Sequence, residues 1–325
     1  MNRRTSVGTV DSDLMKFVNR SLELLKSGEL QEAEELFNKI LKIDYKSDIA
    51  DTGIKCCKYW ALRMGKFSSM KENFESSKYL FDEWKKFELF YKSFSNFNGK
   101  VVHNIMYYIY HKALDVFNKD LRSNIILDAQ FSFMIARAYK EIGDYKNALA
   151  KFEETLKVDQ KNSNVLAQIA DVYSLIDDDA KAKLIFREAF FVEPEAVDID
   201  LLDSNLINAI ISRLKADKIA DEELKYWIPV YGRVYNIFNV FREILPVEFG
   251  KLSQEIFFLE GKIGDFRENK NIITARLLNC YFWLYDYYRN KNSGLEYTSD
   301  LEHKIKRASE KIYKDFINNR QKELL

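Results

Sequence analysis

Three histidines, three cysteines and a run of aspartates are the residues in this 325-residue chain whose types invite a chemical reading. His103 and His111 stand eight apart on one helical stretch, with no acidic residue at the offsets of a zinc-binding helix. They read as a turn residue and a solvated residue; His303 stands apart. Cys56 and Cys57 are adjacent, without the two intervening residues of a dithiol redox pair, and lie in a helix where small sulfur side chains pack well. With Cys280 they are too few and too uneven for a disulfide framework. Asp177, Asp178 and Asp179 have the charge for a divalent cation, yet they fall between two helical stretches, where aspartate caps the next helix. Gly250, Gly261 and Gly264 lack phosphate-loop spacing. Lys304, Lys306, Arg307 and Lys311 alternate with Glu302 and Glu310, a solvated face rather than a nucleic-acid surface. No nucleophile–base pair, metal set or cofactor cradle assembles. The expectation is a chain that is not an enzyme, with no cofactor and no metal.

The elements carrying these residues are helices, and they repeat. Tyr139, Gly143, Ala148, Phe152 and Thr155 are followed 34 residues later by Tyr173, Asp177, Ala182, Phe186 and Ala189. The alanines suit a close helix crossing, and each aromatic lies one turn further along the same face. Gly28, Ala33, Phe37 and Ile40 occupy the same relative places near the N-terminus. Gly65, Met70, Phe74 and Ser77 align 37 residues after them, and 81–121, with a turn at Asn98-Gly99, reads as one degenerate unit. One amphipathic hairpin cannot bury its own stripe, so such units stack.

The period and these positions resemble the tetratricopeptide repeat, firmly over 129–195 and well over 14–47. The family's early large aromatic is Ser132 in one unit and Leu166 in the next. The resemblance implies an all-α fold: about four stacked antiparallel helical hairpins in a right-handed superhelix, with a divergent helical C-terminal segment. It also implies a concave groove lined by inward positions of the first helices. These fall on Lys55 and Tyr59, on Gln130, Phe133, Met134, Arg137 and Glu141, and on Asn164, Ala167, Gln168 and Asp171. Phe133 and Met134 would hold an apolar side chain, and Arg137 and Asp171 would orient a polar one. The paired lysines and asparagines that grip a C-terminal carboxylate in some members are absent.

After Pro194 the regularity fades. Val234, Ile237, Phe238, Phe241 and Leu245 predict a helix between Pro229 and Pro246, and Leu252, Ile256, Leu259 and Ile263 predict another. In ITARLLNCYFWLYDYYRN the aromatics cannot share one face. Most read as core, while Trp227, Tyr281, Trp283, Tyr285 and Tyr288 are candidates for an interface. Asn292, Ser293 and Gly294 close that helix, and a single terminal helix carries Leu301, Ile305, Ala308, Ile312 and Phe316. The stretch from YWIPVYGRV to YFWLYDYYRN also resembles the C-terminal part of uncharacterised tetratricopeptide-repeat proteins from spirochaetes, which implies an architecture but no activity.

Fifty basic residues balance fifty acidic ones, which gives no bulk attraction to nucleic acid. No apolar run reaches the roughly 18–20 residues of a membrane span. The expected layout is a flexible N-terminus over 1–12, a repeat array over 13–195 and a divergent helical region over 196–325 packed on that array. The expected role is a cytoplasmic scaffold or adaptor that recognises a protein or peptide segment in its groove. The alternative is a self-associating module using its aromatic C-terminal region.

Overall fold

The computed structural model describes residues 5–94, 96–120, 129–264, 267, 269–290 and 295–323. Residues 1–4 of the expected flexible N-terminus, and Asn292, Ser293 and Gly294, lie outside the described residues. Among the described residues the fold is all-α, with fifteen α-helices and no strand. The chain divides into two compact units, Met1–Lys151 and Phe152–Leu325.

The repeat is visible in how helices end. α6 (Ala129–Glu141) and α7 (Tyr145–Val158) are followed, each 34 residues later, by α8 (Ser163–Leu175) and α9 (Asp179–Val192). Gly143 and Asp177 take φ values of 83° and 62° in the intervening turns. The next N–H reaches back five residues, from Asp144 to the Tyr139 carbonyl and from Asp178 to the Tyr173 carbonyl, both at 2.9 Å. A left-handed residue there lets the chain reverse while the last carbonyls of the first helix stay bonded. The same turn joins α1 (Thr5–Ser27) to α2 (Leu30–Ile43), with Gly28 at 87° and Glu29 bonded to Leu24. It recurs once more between α10 (Asn205–Ala216) and α11 (Leu224–Val234), where Lys218 has φ 60° and Ile219 bonds Leu214. Five residues past the first three of these turns stand the buried Ala33, Ala148 and Ala182, and nine past all four stand Phe37, Phe152, Phe186 and Trp227.

In the first unit the middle helices are longer than repeat helices: α3 (Asp48–Ser68) has 21 residues, α4 (Phe74–Lys92) 19 and α5 (Gly99–Asp120) 22. Gly65, aligned from the sequence with Gly28, is therefore mid-helix. The turn comes at 69–73, where Asn73 and Ser76 form a reciprocal capping box that starts α4. WKKFELFYK is the second half of α4, not the opening of another unit. α5 packs along α1, α3 and α4. The Tyr108 ring lies so close over Gly28 that a Cβ there would come within 2.2 Å of it. Trp60, Trp84 and Phe87 form the aromatic centre of this unit.

The second unit closes with α12 (Pro246–Lys262), α13 (Lys270–Asn290), α14 (Leu295–Ala308) and α15 (Glu310–Glu323). α13 packs against α11, α12 and α14, which is why Tyr281, Phe282, Trp283 and Tyr285 face several directions and are still buried. The helix expected over 234–245 is absent. α11 runs through Pro229 and stops at Val234, Asn236 takes φ 59°, and the Phe238 N–H turns back to the Gly232 carbonyl at 2.8 Å. The Phe238 ring then covers Gly232, leaving no room for a Cβ. The expected single terminal helix is two, broken at Ser309, whose hydroxyl accepts from the Ile312 N–H.

Candidate functional site

On α6 the inward positions fall along one side of the helix: Gln130 is exposed, and Phe133, Met134 and Arg137 are half-buried. Arg137 does not project freely. Its guanidinium donates to Glu88 on α4 at 2.7 Å and lies 3.6 Å from Glu141. Trp84 Nε1 donates to the same Glu88 carboxylate at 3.0 Å. Burial, and after it the Glu88 carboxylate, push the nearby Tyr91 phenol above its ordinary pKa. One cation thus meets two carboxylates in a partly dry setting, which fixes the guanidinium in place.

Of the two candidates on α3, Tyr59 meets α4 and Lys55 the segment just after it. The Tyr59 ring packs on Phe87 and Phe90, each with centroids 4.9 Å away, and the Arg63 guanidinium lies over it at 3.4 Å. Arg63 in turn donates to Glu83 at 2.7 Å. Lys55 bonds Asp51 and lies 4.5 Å over the Phe94 ring. The structure therefore brings Tyr59 and Arg137 onto one neighbour, α4, and Lys55 onto Phe94 just past its end. Sequence reasoning missed Glu88, Phe90 and Phe94 as their partners, although the aromatic run FELFYKSF was in plain view.

On α8 the inward positions have an occupant. Asn164 Oδ1 accepts from the Asp198 N–H at 3.0 Å. The Gln168 amide donates to the Leu201 carbonyl at 3.2 Å. Asp171 accepts from the main-chain N–H groups of Asp203 and Ser204, at 3.0 and 2.8 Å. Gln168 and Asp171 are wholly buried beneath this stretch. Asp171, read as a groove residue orienting a ligand, holds the chain's own backbone instead.

The interface candidates belong to the interior. Trp227, Tyr281, Trp283 and Tyr285 are buried in the core of the second unit. Trp227 is there because it takes the aromatic place of the fourth hairpin. The Tyr281 hydroxyl donates to Glu260 at 2.7 Å, and Tyr285 meets Glu302 and Arg320. Only Tyr288 is half-buried, stacked on Tyr297 at 4.7 Å. Beneath them Asp286 is shared by Arg187 and Arg233, all three buried, and the Arg187 guanidinium lies 4.3 Å over Trp283. Burial draws the Arg187 pKa down, against the attraction of Asp286.

The cysteines are buried, and burial pushes all three thiols up, Cys57 and Cys280 to about 12. Thiols held protonated in this way are poor nucleophiles. Asp178 caps α9 through the Lys181 N–H, as the aspartate run suggested. His103 and His111 are both exposed on α5, and His111 lies 3.4 Å from Asp115. Among the described residues no group of three or more His, Cys, Asp or Glu is placed to hold a metal ion. Nor, among them, is any helix long and apolar enough to cross a membrane.

In comparison with known proteins, the tetratricopeptide repeat family matches residues 129–162, which are α6, α7 and the turn that follows. No curated protein matches the chain.

Proposed function

We propose that this chain is a non-catalytic, cytoplasmic scaffold or adaptor whose repeat helices hold an extended segment of a partner protein. Residues 13–195 are the binding array in this reading, and 196–325 are its divergent closing region. One observation carries it. The inward positions of α8 already grip extended main chain through Asn164, Gln168 and Asp171. Polar side chains spaced one turn apart read backbone donors and acceptors, as peptide-binding surfaces do. Gln130, Phe133 and Met134 occupy the equivalent places on α6, with Lys55 and Tyr59 on α3, and Arg137 is held beside them by Glu88 and Glu141.

The test is affinity capture from host lysate with the wild-type chain beside a Gln130→Glu, Met134→Ala double variant. Neither side chain is fully buried, so the variant should keep its circular dichroism. A protein recovered by the wild type and lost from the variant supports the reading. Equal recovery by both, or no specific recovery, removes it.

A second reading, self-association, is favoured by the outer side of α12. Opposite its buried Leu252, Ile256 and Leu259 stand Val247, Gly250, Gln254, Phe257, Phe258 and Gly261. That stripe has no charge, and Phe257 is 81% exposed.

A further inference from the structure

The left-handed turn residues recur at 34 from Gly143 to Asp177, but Lys218 comes 41 after Asp177, seven later than the period. The surplus is spent at 193–204. Pro194–Ala196 and Ile199–Leu201 form two short 3-10 turns, and the backbone is extended at Val197, Asp198 and Leu202. A seven-residue insertion ordinarily projects into water. This one lies along α8, where Asn164, Gln168 and Asp171 bond its main chain.

Resting on the reading of α8 as a binding face, we propose that residues 193–204 are an intramolecular occupant of that face. They form a strap that a partner's extended segment displaces in order to bind. The strap's packing differs from that of a core element. A pocket of about 560 Å³ is lined by 195–200, α10 and residues 221–225, with the Lys225 ammonium reaching the Glu195 carbonyl at 2.7 Å. Another, of about 450 Å³, lies between 193–196 and 159–163. Between 193 and 203 only Val197 and Leu202 are buried. The strap also carries Glu193, Glu195, Asp198, Asp200 and Asp203 with no basic residue, so its own charges repel one another. It is held by a ladder of main-chain bonds and two apolar anchors, and another chain can reproduce both. The partner it stands in for is an extended segment with apolar side chains five residues apart, at the places of Val197 and Leu202.

The experiment replaces 194–203 in the full chain by a Gly/Ser linker of equal length, keeping Ser204, whose hydroxyl caps α10. Binding of a fluorescent peptide with the sequence of residues 193–206 is then followed by anisotropy. The linker variant should bind it saturably and the intact chain at least ten-fold more weakly, because its own strap competes. Adding Asp171→Ala to the linker variant should remove the binding. A linker variant with native circular dichroism that fails to bind the peptide overturns the proposal. If that variant does not fold, hydrogen exchange on the intact chain decides. The N–H groups of Asp203 and Ser204 should exchange at least ten-fold faster than those of Phe186 and Ala189 in α9, and equal protection overturns the strap. None of these readouts needs the natural partner, so the strap can fail while the protein-binding reading stands, and the reverse.

Discussion

At the scale of single residues, the side chains with the most chemical promise are mostly spent on holding the molecule together. Asp286 is the clearest case, a buried carboxylate between two buried guanidiniums. Removing it would leave Arg187 and Arg233 facing each other without water or a counter-charge. Asp286→Ala should therefore cost about 3–5 kcal/mol, read as a fall in the urea midpoint. A loss below about 1 kcal/mol, the range of exposed ion pairs, would mean that the charges reach solvent. The thiols make a second prediction. Cys280 holds its proton more tightly folded than unfolded, chiefly through burial and then through the Glu255 carboxylate. Its contribution to stability is therefore whole below pH 9.0 and is lost as pH rises from there toward 12. The unfolding midpoint should fall across that window, and less steeply in Cys280→Ala; identical slopes would refute the assignment. None of this burial could be read from residue types. A lone Asp in an aromatic run has no periodic signature, and its two arginines lie 53 and 99 positions away in sequence.

At the scale of elements, the sequence was most legible where a turn demands a special residue. Gly28, Gly143 and Asp177 mark three hairpins because glycine and aspartate tolerate positive φ. Lys218 hides the fourth, since a lysine there says nothing of a left-handed turn. Gly65 misled for the opposite reason: it is a glycine that nothing requires. The contrast with Gly53 is testable. A Cβ on Gly53 would meet the Phe37 ring at 2.3 Å, whereas around Gly65 nothing lies within 4 Å. Gly53→Ala should destabilise by about 1–3 kcal/mol through overpacking. Gly65→Ala, in an open helix interior, should stabilise by about 0.5–1 kcal/mol. Thermal melts of the two variants against wild type give both signs, and a stabilised Gly53→Ala would contradict the packing of α2 on α3. The α8 face was legible in part. Its spacing on one side of a helix could be read, but what covers it comes from 32 to 34 residues further along the chain, beyond any local pattern.

At the scale of the whole molecule, the open question is whether it meets other proteins, copies of itself, or both. The sequence placed a self-association surface among the aromatics near Trp283, where the density of large side chains was highest. The structure buries Tyr281, Trp283 and Tyr285, and an exposed apolar stripe lies instead on α12, opposite the Leu252, Ile256 and Leu259 that the sequence pattern marks. Its geometry suits a two-fold axis. If two α12 helices cross antiparallel with Gln254 facing Gln254, Phe258 of one copy meets Gly250 of the other, and Val247 meets Gly261. Such an interface repeats each contact twice, as isologous dimers do. The exposed glycines cost the helix about 1 kcal/mol each relative to alanine, and close approach by a second helix is a physical reason to keep them. One helix pair covers less than the roughly 800 Å² per partner of a standard interface, so the association should be weak. Sedimentation velocity should then show a monomer that shifts toward dimer as concentration rises into the hundreds of micromolar. Phe257→Glu should hold it monomeric with its circular dichroism unchanged. A wild-type chain that stays monomeric throughout that range would end the self-association reading. A variant that dimerises as well as wild type would keep self-association and move it away from α12.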